Sequence, residues 1–153
     1  MPGWSWIWAD YAAPCLCAFL ACVAFTMVYN IHGVGKLICG VGSALGWLVY
    51  LLAGETVFAA FLAAASIGTY SEIMARVRRC PVTAYLLVAL LPLVPGGGIY
   101  YAMSYCVSGD IQRFLHTLLH TFGVAAALAV GAMLASSLFR AVYAHLYFWR
   151  RRG

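Results

Sequence analysis

Pro92-Leu93-Val94-Pro95-Gly96-Gly97-Gly98 interrupts an otherwise apolar run, and its reading decides the fold. Upstream, Pro81 to Leu91 has the composition of a helix, about 16 Å long at 1.5 Å per residue and roughly half of a ~30 Å hydrocarbon core. Downstream, Ile99 to Val107 supplies a second short apolar helix of about 13 Å, which places the break near a bilayer midplane. Two prolines remove backbone donors and crowd the preceding turn, while three glycines accept almost any φ/ψ. Unwound backbone at that depth is tolerated only when buried in protein or lining a water-filled cavity. The second half-helix is then expected to aim the free N–H groups of Gly97, Gly98, Ile99 and Tyr100 at the interior, a geometry suited to an anion. A proline kink that only shapes packing is the alternative.

The composition sets the same frame. The chain has 153 residues, 65% hydrophobic and 8% charged, against roughly 25% charged in soluble domains. A soluble core that apolar could not cover itself with polar surface, so residues 1–153 read as a single all-α integral membrane domain, leaving no room for a soluble one. No basic segment precedes the first apolar run, only Trp4, Trp6, Trp8 and Asp10, so no cleaved signal peptide is expected. Outward from the break, five spans follow: Tyr11 to Tyr29, Leu37 to Gly54, Thr56 to Ala75, the broken fourth, and a long last helix from Ile111 to Trp149. Tryptophans before the first span and Tyr143, Tyr147, Phe148 and Trp149 at the end of the last form interfacial belts.

Charge tests this count. Five spans put Lys36, Arg76, Arg78, Arg79, Arg140, Arg150, Arg151 and Arg152 on one side, and Arg113 with Asp10, Glu55 and Asp110 on the other. That asymmetry orients the chain with its N-terminus outside and its C-terminus inside. The net charge of +5 is accounted for by this membrane asymmetry and is no nucleic-acid footprint.

Four groups of side chains carry candidate chemistry. Cys15, Cys17, Cys22, Cys39, Cys80 and Cys106 form no C-x-x-C pair, and most sit in apolar runs where cysteine acts as a small hydrophobe. Arg113, His116, Thr117 and His120 share one face of the last helix, opposite Phe114, Leu118 and Phe122. Two histidines at i, i+4 lack a third ligand at any motif spacing, so no metal is expected. They read as an interfacial polar stripe or as titratable groups near a substrate path. Glu72 stands four residues before Arg76, spaced for an ion pair, with a proton-carrying carboxylate as the alternative. Gly42-Ser43-Ala44-Leu45-Gly46 is a G-x-x-x-G face, and Gly123, Ala127 and Gly131 repeat the small-residue spacing, for close packing within the chain or against a partner. No serine or cysteine stands beside an obvious base, which argues against an intramembrane enzyme, and no cofactor is implied.

Ala24-Phe25-Thr26-Met27-Val28-Tyr29-Asn30, then Ile67-Gly68, Ser71-Glu72 with Ala75-Arg76, Pro81, and Pro92-Leu93-Val94-Pro95-Gly96 with Tyr100 together resemble the threonine/serine exporter family. The resemblance runs from about Phe19 to Phe139 and is nearest to a short stand-alone subunit similar to the C-terminal membrane half of longer exporters. It implies secondary export of threonine, serine or a succinate-like dicarboxylate across a bacterial inner membrane, together with a separately encoded larger subunit. The broken helix itself gives the expected substrate contacts, Pro95, Gly96, Gly97, Gly98 and Tyr100, while Glu72, Arg76, Arg113, His116 and His120 are expected as coupling groups or a polar stripe. A non-transporting assembly or scaffold subunit is the competing expectation.

Overall fold

The computed structural model describes residues 8–150, and side chains over residues 10–143. Trp4, Trp6, Arg151 and Arg152, and the side chains of Trp8, Tyr147, Phe148, Trp149 and Arg150, therefore lie outside the described residues. After a π-helical turn at Trp8–Ala12 come α1 (Ala13–Val28), α2 (Gly35–Leu52), α3 (Val57–Arg78), α4 (Val82–Leu90), α5 (Gly96–Val107) and α6 (Ile111–Arg150). Four of these helices are long and apolar enough to cross a membrane. A fifth crossing is available if α4 with its 3-10 turn Leu91–Leu93 and α5 count as one span, bent by 45°.

Local chemistry places the ends. Asn30, Glu55 and Arg79 sit at positive φ, as do Gly33, Gly54 and Gly109, so every connection outside the proline break turns through a left-handed residue. The Thr56 hydroxyl accepts from the Ala59 N–H at 3.1 Å and opens α3 as an N-cap. Arg79 closes α3 in the left-handed region, with its N–H donating to the Arg76 carbonyl.

α3 is the central helix. Its buried stripe of Ala60, Ala63, Ala64, Ile67, Gly68, Ser71, Glu72 and Ala75 follows the three-and-four spacing of a packed face and is made mostly of small residues. Small side chains let neighbouring backbones approach, which is how helices associate where lipid removes the hydrophobic drive. The contacts give register. A Cβ built on Gly123 would lie 3.6 Å from Val57, one on Gly131 would lie 3.0 Å from Ala64, and one on Gly68 would lie 2.7 Å from Ala135. Both numbers rise together, so α3 and α6 run parallel. By the same test α2 is antiparallel to α3, because Gly42 faces Tyr70 and Gly46 faces Ile67. α2 is parallel to α4, because Gly35 faces Tyr85, Gly42 faces Ala89 and Gly46 faces Leu93. α1 docks on α2 through Phe19 and Val23 at Gly40 and through Ser43 Oγ, which donates to the Ala18 carbonyl at 3.4 Å.

These contacts resolve an open alternative. The G-x-x-x-G face on α2 and the Gly123–Gly131 stripe on α6 are both used inside the chain, to seat α2 and α6 on α3. Neither is left free for another protein.

Candidate functional site

The break between α4 and α5 begins deep and ends shallow. Leu93 is buried against Gly46 and clusters with Ile67, the eleventh of the 22 residues of α3, so the proline end stands at half the height of that helix. Gly98 lies against Thr121, two residues before Gly123, and Gly123 faces Val57 at the start of α3. From Ile67 to Val57 the rise is about 15 Å. The glycines, expected near the midplane, therefore stand at the level of the first turn of α3. The extended backbone at Val94 (φ −62°, ψ 126°) covers length quickly, and this separates the two ends of the break.

A second departure concerns the helix start. Gly96, Gly97 and Gly98 were expected outside the second half-helix, yet they form its first turn, and none has a positive φ. Ile99 N–H donates to the Pro95 carbonyl at 3.4 Å, and Tyr100 lies far enough inside α5 to be bonded within it. The Gly96 N–H is turned back onto the Val94 carbonyl at 2.7 Å. The donors still open at this N-terminus are those of Gly97 and Gly98, two rather than four. Side chains built on Gly96 or Gly97 would meet nothing within 4 Å, whereas one on Gly98 would run into the Thr121 hydroxyl. Thr121 is 5% exposed, and its Oγ1–H donates to the Thr117 carbonyl at 2.7 Å. Tyr100, expected to add a hydroxyl to the same anion, is 71% exposed and packs edge-on against Tyr101.

At the deep end stands a group that sequence reasoning passed over. Trp47 packs onto the cluster of Ile67, Ala89 and Leu93, and its Nε1–H is buried with no acceptor. An indole N–H is a donor only, and a buried donor left unpaired costs about 1–3 kcal/mol. Thr121, four residues after Thr117 on one face, was the other residue missed.

α5 packs chiefly on α6, and together they form a hairpin that leaves the bundle. Residues 111–122 of α6 precede the position facing Val57, so the hairpin extends about 18 Å past the start of α3. Arg113, His116 and His120 are exposed on this overhang. Asp110 caps α6 by accepting the Arg113 N–H at 3.1 Å and pairs with the Arg113 guanidinium at 3.2 Å. Tyr105, Asp110, Arg113, His116 and Thr117 line an open cavity of about 540 Å³ at its tip. The histidines are thus far along the hairpin from the proline end of the break.

Glu72 and Arg76 do form the expected pair, in the other half of the bundle. Arg76 Nη1 donates to Glu72 Oε2 at 2.5 Å and to the Glu72 carbonyl at 2.8 Å. The guanidinium also lies over two rings of α6, 5.3 Å from the centroid of Phe139 and 4.4 Å from that of Tyr143.

A family model described as Threonine/Serine exporter, ThrE, matches residues 14–138. Neither the curated proteins nor the solved structures contain a match to the chain.

Proposed function

Because the chain belongs to the threonine/serine exporter family, we propose that it is the small membrane subunit of a secondary exporter moving small carboxylates out across a bacterial inner membrane. The substrate class is threonine, serine or a succinate-like dicarboxylate, and the partner is a larger subunit of the same family. Family membership and four or five apolar helices support a multi-pass membrane protein of the transport type. The observation that carries the finer reading is the break itself. It has two free N–H groups at the outer end and open space over Gly96 and Gly97, while Trp47 of α2, packed on the same cluster as Leu93, keeps a buried unpaired donor at half height. A carboxylate passing from the Trp47 donor to the outer N–H groups would exchange water for fixed donors at both depths.

The parallel run of α3 and α6 supports five crossings. Were α4 and α5 a re-entrant loop, α6 would start where α3 ends and the two helices would be antiparallel. With five crossings the positive-inside asymmetry puts Arg78 inside and Glu55 outside. On a cysteine-free background, a membrane-impermeant thiol reagent added outside should label Glu55→Cys and leave Arg78→Cys untouched. The reverse pattern overturns the topology.

Support for a partner comes from the hairpin. Ile99, Tyr101, Leu115, Leu119 and Phe122 are all exposed on a segment projecting past the bundle, where another membrane subunit would cover them. The same feature is what favours the second reading, an assembly subunit that transports nothing. Reconstitution separates them. Liposomes carrying this chain and the larger subunit should move labelled succinate or threonine, and liposomes carrying either alone should not. Transport that needs the larger subunit only would establish the assembly reading, and transport by this chain alone would remove the need for a partner.

A further inference from the structure

Four acidic residues occur in the chain, and three of them stand at helix ends: Asp10 in the first turn, Glu55 before α3 and Asp110 before α6. Glu72 is different. It lies six residues before the end of α3, about 9 Å inside it, and is 1% exposed. A carboxylate is expensive at that depth and is kept where it serves an ion or proton path. An ordinary structural pair would satisfy both oxygens, yet only Oε2 is engaged, by Arg76. Glu72 Oε1 is buried with no hydrogen-bond partner, and so is the hydroxyl of the adjacent Ser71. An ionised carboxylate can accept about four hydrogen bonds, so one oxygen of this anion is left without a donor from the protein.

We propose that Glu72 is the proton-binding group of the membrane domain, and that its charge state fastens or frees α3 from α6. The reading rests on the transport role set out above. When Oε1 takes up a proton, the carboxylate becomes a neutral acid, and Arg76 keeps its positive charge and its bond to the Glu72 carbonyl but loses its counter-charge. Arg76 is 29% exposed and reaches α6 at one end of that seam, through Phe139 and Tyr143. Loss of the counter-charge therefore acts on the α3–α6 seam, the contact that sets the position of the α5–α6 hairpin. No second carboxylate shares the site: α2, α4 and α6 carry none among the described residues. The titratable and charged groups on those packed helices at this end are Lys36 and Cys39 on α2, Tyr85 on α4, and Tyr143 with the exposed Arg140 on α6, with Cys80 in the turn before α4. None of them is a carboxylic acid.

The test is Glu72→Gln, which keeps the shape and removes the ionisation. In the purified full chain, infrared difference spectra on acidification should show a protonated-carboxyl band that shifts when the experiment is run in heavy water and that is missing from Glu72→Gln. In liposomes with the larger subunit, proton movement reported by an entrapped pH dye should accompany substrate movement in the wild type and fall by at least tenfold per substrate in Glu72→Gln. Arg76→Gln should keep the carboxyl band, because the group that takes the proton is still present. A spectrum without a band assignable to Glu72, or unchanged proton coupling in Glu72→Gln, overturns the proposal. If the wild type moves no substrate, the exporter reading fails, and the carboxyl band still decides whether Glu72 binds a proton.

Discussion

Gly97→Val is expected to cut export by more than tenfold, about 1.4 kcal/mol or more in the limiting step, while the chain remains as stable as before. The two halves of that result come from different facts. A side chain at position 97 meets no atom of the protein within 4 Å, and the backbone there is ordinary right-handed helix, so nothing in the fold resists it. Three consecutive glycines at a helix start forgo roughly 1 kcal/mol each in helix propensity relative to alanine. Removing one should leave thermal stability level or slightly raised. What a side chain would obstruct is the approach of a substrate to the free N–H groups of Gly97 and Gly98. Gly98→Val is the control with the opposite cause: its side chain collides with Thr121, so it should loosen α5 from α6 and lower the melting temperature. Normal export by Gly97→Val would reduce the stretch to a kink and send the search for the anion site to the partner subunit.

The largest structural effect is expected from Gly131→Val. A Cβ at this position would lie 2.5 Å from the Phe61 backbone oxygen and 3.0 Å from Ala64, and neither can rotate away. The seam must open along α3, the helix on which α2, α4 and α6 rest, at a cost of about 3 kcal/mol or more. Little folded protein should be recovered, and what is recovered should melt well below the wild type. Gly123→Val, eight residues earlier on the same stripe, meets only Val57 at 3.6 Å and should be tolerated. Equal behaviour of the two variants would mean that the α3–α6 register is wrong.

The helices were legible in the sequence because hydropathy and turn residues report them directly: Asn30 and Gly33, Gly54 and Glu55, and Arg79 do sit in the left-handed conformations that end them. The break was legible for the same reason. Its inner boundary was not, since glycine reads as a helix terminator while Pro95, which carries no N–H itself, accepts the first bond of α5 through its carbonyl. Register was hidden as well. Small-residue spacing marks a packing face without saying what packs there, and only the Gly68–Ala135 and Gly131–Ala64 contacts reveal a parallel pair. At the ion pair, i, i+4 spacing exposed the partner of Glu72, but the rings of Phe139 and Tyr143 arrive from more than 60 residues away. An unpaired atom such as Trp47 Nε1 leaves no trace in a sequence at all.

The parallel pairing of α3 and α6 also has a consequence for how the protein is made. Residues that touch across this seam are 67 apart, as with Gly68 and Ala135. At a synthesis rate of about 5–20 residues per second, roughly 3–13 seconds pass between the emergence of one and the other. During that interval the part of α3 that Gly68 presents to α6 is not yet covered by it. The one carboxylate of α3 has no help from α6, only the local bond from Arg76, formed within a single turn of the same helix. Arg76 is thus the chaperone of its own helix: the pair lets α3 be inserted before the neighbour that will later cover it has been translated.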